Sequence, residues 1–272
     1  MHRFSLDIAL GAVAMLFALS FPSSQAHERP EFYALLFFGT LLVYWIDHLQ
    51  DSEEPLLVQP GSRHSVFKTH KRLFIALCAV LFILNASLAF LFLNIKEWVY
   101  GFCLILALGG YLLLHRNLKR IFILEKELLI ASLYCLSILF APIAQFEGSF
   151  ISYSFMSLLV AGSLLFLAAL QNLFSIARIE SQLDRENNIR NITHSFGSAR
   201  LYHLQIALLA FQFLLSLAFL IMCGEPTKYK IAGVFMGISL VEFCLPYLFE
   251  EPQTNSYRFI GEGVFLLGFL AQ

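Results

Sequence analysis

The chain has 272 residues, 58% of them hydrophobic and 14% charged, with a net charge of −1. Its mean hydropathy is +0.73. Such a composition excludes an ordinary soluble domain and a disordered chain, and without a net basic field it offers nothing to nucleic acid. The fold class to expect is an all-α integral membrane protein.

The N-terminus, Met1-His-Arg followed by an apolar run and Ser24-Gln-Ala26, imitates a cleavable signal peptide. Asp7 interrupts the start of that run, and removing the segment would leave one helix fewer than the charge pattern wants. It is therefore counted as a span. Apolar stretches near the length that crosses a bilayer, about 20 residues, fall at 5–21, 31–50, 72–94, 97–115, 122–146, 151–178, 198–223, 229–249 and 257–271. The expectation is a nine-transmembrane-helix bundle forming one domain over residues 1–272, its last helix short.

With the N-terminus cytoplasmic, the inner side holds Arg3, Arg63, Lys68, Lys71, Arg72, Arg116, Lys119, Arg120, Lys126, Arg178, Arg185, Arg190, Arg200 and Arg258. The outer side holds Arg29, Lys96, Lys228 and Lys230, so fourteen basic residues face four. Positive charge is retained on the cytoplasmic side of membrane proteins. The inner connections are also the longer and more polar ones, which is where chemistry concentrates. The reading is an integral plasma-membrane or inner-membrane protein with cytoplasmic N-terminus and site loops.

The second helix ends in Thr40-Leu-Leu-Val-Tyr-Trp-Ile-Asp-His-Leu-Gln-Asp51. Asp47 and Asp51 are four apart and share a helix face. Like charges so close repel unless a cation lies between them. Hard divalent ions such as Mg²⁺ take carboxylate oxygens and keep positions for phosphate. Glu180 and Asp184 repeat the spacing at the end of the sixth helix. Both pairs lie at helix C-termini, where the macrodipole disfavours negative charge. Ionisable residues at such depth are candidates for function; the alternative is acids snorkelling into the interface.

Asn172 shares the face of Glu180, two turns deeper, and suits either a metal or phosphate contact or a hydrogen bond between helices. Arg63, Lys68, Lys71 and Arg72 follow the first acidic pair, and Arg116, Lys119 and Arg120 end the fourth helix. Guanidinium forks and ammonium charges suit phosphate, although topology alone also places basic residues here. His48, His64, His70, His115, His194 and His203 fall near the same face, and with Asp47 and Asp51 could be drawn as a zinc or di-iron site. No HxxxH or HExxH spacing supports that drawing. Glu242 and Glu262 stand inside the last two helices, where Arg258, one turn from Glu262, is a candidate partner. Five cysteines, scattered singly in apolar stretches, read as small buried hydrophobes. The 29 phenylalanines and ten tyrosines supply rings that can stabilise a carbocation, though most must pack helices or face lipid.

In this pattern the chain resembles the UbiA superfamily of intramembrane prenyltransferases. Asp47-His-Leu-Gln-Asp51 and Glu180-Ser-Gln-Leu-Asp184 stand where that family carries its acidic motifs, and Phe196-Gly197 resembles the stretch leading into its seventh helix. Tyr44-x-x-Asp47-x-x-x-Asp51, with Asn172 through Asp184, looks like a divergent bacterial branch. The resemblance implies two Mg²⁺ held by Asp47, Asp51, Glu180 and Asp184. It implies an isoprenyl diphosphate bound through them, with Asn172, Arg63, Lys68, Arg72, Arg116, Lys119 and Arg120 around the diphosphate. It implies transfer of the prenyl group to an aromatic or other lipophilic acceptor. The sequence departs from the family at Tyr44, where an Asn or Asp is usual, and at Glu180, where an Asp is usual. A non-catalytic lipid-binding relative of the same shape is the alternative. A cation-coupled transporter is a further one, disfavoured because the acids lie at helix ends and not at broken mid-membrane helices.

Overall fold

In the computed structural model the chain is a bundle of helices; it describes residues 5–20, 28–53, 63–118, 123–146, 153–186, 191–223, 226–249 and 256–271. In chain order these are α1 (Leu6–Leu19), α2 (Pro30–Asp51), α3 (Arg63–Thr69), α4 (Lys71–Phe92), α5 (Ile95–Leu118), α6 (Ile123–Ala144) and α7 (Tyr153–Ile179). Then follow α8 (Ser181–Glu186), α9 (Ile192–Phe196), α10 (Ser198–Cys223), α11 (Pro226–Leu248), α12 (Ser256–Gly263) and a closing 3₁₀ segment, Val264–Leu270. Among the described residues seven helices, α2, α4, α5, α6, α7, α10 and α11, are long and apolar enough to cross a membrane. The other two stretches counted as spans from sequence are shorter. α1 has 14 residues, and the final stretch divides into eight α-helical and seven 3₁₀ residues.

The bundle is apolar outside and partly polar within, as lipid requires. α4 turns Leu73, Ile75, Val80, Phe82 and Phe90 outward, and α10 does the same with Phe211, Phe213, Leu214 and Ile221. Inside, Gln212 of α10 donates to the Phe235 carbonyl at 3.1 Å and accepts from Ser239 of α11 at 2.6 Å. Such bonds hold helices together where hydrocarbon offers no hydrophobic drive. α7 is the most enclosed span and packs against α6, α10, α11 and α12. α1 is a full member of the core: Ala12, Met15 and Leu16 are buried with Phe235 and Phe265. It lies against the closing 3₁₀ segment, where a Cβ at Gly268 would come within 2.5 Å of the Ala14 carbonyl oxygen. Only glycine allows that approach.

Two ends of the bundle are recognisable from their polar contacts. At one, Arg29 Nη1 donates to Glu97 Oε1 at 2.5 Å and Arg29 Nη2 to the Phe92 carbonyl at 2.8 Å. Glu97 also accepts from the Asn94 amide at 2.8 Å. That clamp joins the start of α2 to the α4–α5 turn. At the other end lie the C-termini of α2, α5, α7 and α11 and the N-termini of α6, α10 and α12. Ser5, ahead of α1, meets His48 of α2 there, Oγ to Nε2 at 3.1 Å.

Candidate functional site

Both acidic pairs come to this second end. Asp47 and Asp51 sit in the last two turns of α2, half-buried. The short helix α3 folds back over that end because Phe67, fully buried, stacks on Phe74 at 4.0 Å and meets the ring of His48 at 5.1 Å. Tyr111 of α5 lies within electrostatic reach of Asp47, Asp51, Tyr44 and Glu127. Glu127, near the start of α6, is within reach of Glu180. Through Tyr111 and Glu127 the two pairs share one electrostatic neighbourhood.

The second pair is built differently. α7 ends at Ile179, and Glu180 stands at the junction with α8. The helical bonds nevertheless continue, Glu180 N to the Ile176 carbonyl at 2.9 Å and Asp184 N to the Glu180 carbonyl at 2.8 Å. The one-turn spacing read from sequence is therefore kept across the break. Tyr257 packs with Ile179 and Leu245 in a small apolar cluster, which fixes the start of α12 beside the end of α7. From there Tyr257 Oη donates to Glu180 Oε1 at 2.5 Å, and Arg258 Nε donates to the same oxygen at 2.5 Å. Arg258 Nη2 closes the ion pair. Arg258 and Glu180 side chains are 16% and 17% exposed.

Asp184 is held by Asn191, whose Nδ2 donates to Asp184 Oδ2 at 2.6 Å and to the Ala177 carbonyl at 2.8 Å. The same Asn191 caps α9, its Oδ1 accepting from the Thr193 amide at 3.0 Å. Burial pushes the Asp184 carboxyl up to about 6; the Asn191 hydrogen bond opposes this, the charge of Glu180 adds to it, and Arg258 and His194 oppose it.

The remaining candidates are distributed as follows. Asn172 Nδ2 donates to the Gly261 carbonyl at 3.3 Å, so the amide joins α7 to α12. Its Oδ1 is buried with no hydrogen-bond partner. Lys68 and Arg72 are exposed at the α3–α4 corner, and Lys71 pairs with Glu53 at 2.7 Å. Arg63 opens α3 and Arg116 lies in the last turn of α5, while Lys119 and Arg120 lie outside the described residues. Arg178 is absorbed structurally, bonding Gln205 at 2.7 Å beneath the rings of Tyr202 and Tyr247. The expected pairing of Arg258 with Glu262 is a secondary contact at 4.0 Å; its main partner is Glu180, because the start of α12 abuts the end of α7.

Among the described residues no group of three or more His, Cys, Asp and Glu side chains is gathered as a metal cluster. The zinc or di-iron drawing therefore gains nothing, and His48 spends its Nε2 on Ser5. Tyr257, Asn191, Tyr111 and Glu127 were not singled out from sequence. Only Asn191 carried a local signal, an Asn opening a short helical stretch.

No protein-family model matches the chain, and no curated protein matches it. Solved structures do. A UbiA homologue from Archaeoglobus fulgidus bound to GPP and Mg²⁺ superposes with a TM-score of 0.68 at 14% identity, over 99% of this chain and 98% of that one. The same homologue bound to DMAPP and Mg²⁺ gives 0.65 at 13% identity, over 99% and 97%. A structure of digeranylgeranylglyceryl phosphate synthase gives 0.58 at 17% identity, over 98% and 94%. From end to end, the chain has the fold of the UbiA homologues.

Proposed function

We propose that the chain is an intramembrane transferase that moves an isoprenyl group from its diphosphate to a lipophilic acceptor with the help of Mg²⁺. The observation that carries this is the coincidence of two things. The fold is shared over its whole length with homologues that hold an isoprenyl diphosphate and Mg²⁺, and both acidic pairs stand at one end of the bundle.

The donor set fits a hard cation at the first pair. Asp47 and Asp51 are carboxylates one turn apart at the end of an unbroken helix, with oxygen ligands of the kind Mg²⁺ prefers. At the second pair the fit is poor, since Glu180 Oε1 already accepts from Tyr257 and Arg258. Bound at the first pair, Mg²⁺ would supply charge stabilisation to the departing diphosphate. Asp47 and Asp51 would orient that diphosphate at the mouth of the bundle. Lys68 and Arg72, with Arg63 and Arg116 on the adjoining helix ends, would offset its charge. Tyr44 of α2 is within electrostatic reach of both Tyr111 of α5 and Tyr134 of α6. Their faces suit a developing allylic cation, and the apolar interior keeps water from it. The acceptor captures the cation and loses a proton.

The test is binding of a farnesyl diphosphate analogue to the detergent-purified chain, with Mg²⁺ and with EDTA, beside Asp47→Asn and Asp51→Asn. Binding that needs both the metal and the aspartates is the expected result. A second reading, a lipid-binding relative without catalysis, draws on the fact that Glu180 and Asp184 each accept from this chain's own donors. Binding indifferent to EDTA and to both variants would favour it and sink the first.

A further inference from the structure

We propose that the Arg258 guanidinium stands at Glu180 as a fixed cation in place of a second metal ion, so that the chain takes one divalent ion per isoprenyl diphosphate, at Asp47 and Asp51. The inference deepens the transferase reading and rests on it.

Three observations carry it. One is that Glu180 already carries a cation. Glu180 Oε1 accepts from Tyr257 Oη and Arg258 Nε, each at 2.5 Å, and Arg258 Nη2 completes a fork onto the same oxygen. Mg²⁺ demands near-octahedral oxygens at about 2.0–2.1 Å, so an ion at Oε1 would have to displace three donors, two of them from a guanidinium. A second is that one oxygen of the other acid in the pair is committed too. Asp184 Oδ2 accepts from Asn191 at 2.6 Å, and Asn191 is itself fixed by the Ala177 carbonyl and by its capping of α9.

The third observation is the placement of the charge. Arg258 is largely enclosed, and its remaining acidic neighbour, Glu262, is 4.0 Å from Nη1. It cannot leave without exposing Glu180 to the charge of Glu127 and to the negative end of α7. A divalent ion arriving beside it would meet a like charge in a site of reduced dielectric, where repulsion is several-fold stronger than in water. Arginine also keeps its proton at every relevant pH, so this cation is present whether or not metal is.

The experiment counts Mn²⁺ bound per chain by electron paramagnetic resonance. It uses the full chain in detergent with geranyl S-thiolodiphosphate, an unreactive analogue. Wild type is expected to hold one ion, Glu180→Gln still one, and Asp47→Asn none. Arg258→Gln, which frees Glu180, is expected to admit a second. Should that variant fail to fold, Glu180→Gln decides alone, because it keeps the arginine and removes only the charge. Two ions in wild type, falling to one in Glu180→Gln, would overturn the proposal. No ion in wild type, with analogue binding unaffected by Asp47→Asn, would overturn the transferase reading and this inference with it.

Discussion

The two acidic pairs have the same spacing and occupy equivalent helix ends, yet they are completed by different parts of the chain. Asp47 and Asp51 lie on a continuous helix, covered by α3 and faced by Tyr111. Glu180 and Asp184 straddle a helix junction and are answered by Arg258, 78 residues further on, and by Asn191. Four-residue spacing brings two carboxylates together, but what neutralises them is decided by whichever element packs against that end. At α7 it is the start of α12, anchored by Tyr257, Ile179 and Leu245.

The largest expected effect breaks the comparison most directly. Asp47→Asn and Asp51→Asn should each slow release of diphosphate from an isoprenyl diphosphate on the order of 10³-fold, the loss typical of a group that positions stabilising charge at a reacting centre. Glu180→Gln should cost only about tenfold, some 1.4 kcal/mol, because the arginine stays. Initial rates of pyrophosphate release in detergent, measured at saturating Mg²⁺, check this. Equal losses at all three acids would make the pairs equivalent and end the distinction.

Glu97 sharpens it from the opposite end of the bundle. Like Glu180 it is closed by an arginine, with Arg29 Nη1 at 2.5 Å and its own side chain 1% exposed. No candidate site residue is near it. Glu97→Gln should therefore destabilise by about 3 kcal/mol, as breaking a buried pair does, with the rate per folded molecule unchanged. Thermal unfolding and turnover of the same sample separate the two effects.

Most of the architecture was legible in the sequence because membrane spans announce themselves by length and apolarity. Every stretch counted as a span contains a helix, and α2 ends at Asp51 as read. What length could not show was that the final stretch changes to 3₁₀ geometry after Gly263, a consequence of its close packing on α1. That each acidic pair lies one turn apart at a helix end was legible from its spacing. The closure of Glu180 was not, since the one-turn spacing of Arg258 and Glu262 points to that pair until α12 is set against α7. Asn172 was placed on the right face, but only packing shows that its amide serves Gly261.

Gly268→Ala tests whether Arg258 depends on the anchorage of the closing segment. The added Cβ would lie 2.5 Å from the Ala14 carbonyl oxygen and 2.7 Å from its carbon. Backbone must move, at a cost of about 2 kcal/mol by the usual penalty of overpacking. The shift should travel along the segment into α12 and loosen the Arg258–Glu180 pair while leaving Asp47 and Asp51 untouched. Unfolding temperature should fall and the Mn²⁺ count at the first pair should stay at one. A loss of that ion would mean the two half-sites are mechanically joined.

The smallest effect concerns Asp184 alone. Asn191→Ala removes the α9 cap, worth about 1 kcal/mol, and the amide that holds Asp184 Oδ2 and the Ala177 carbonyl. Freed of that donor, Asp184 can rotate, yet Glu180 beside it is still gripped by Arg258. If the arginine is what closes the second pair, this variant should lose stability by that amount and still bind a single ion. If Asn191 is what keeps metal out, a second ion should enter with Arg258 intact. Asn191→Ser separates the roles, because a serine hydroxyl retains the cap to the Thr193 amide while being too short to donate to Asp184 and bringing no charge. Normal stability with one ion in that variant would leave the guanidinium as the group that makes the second acidic pair unlike the first.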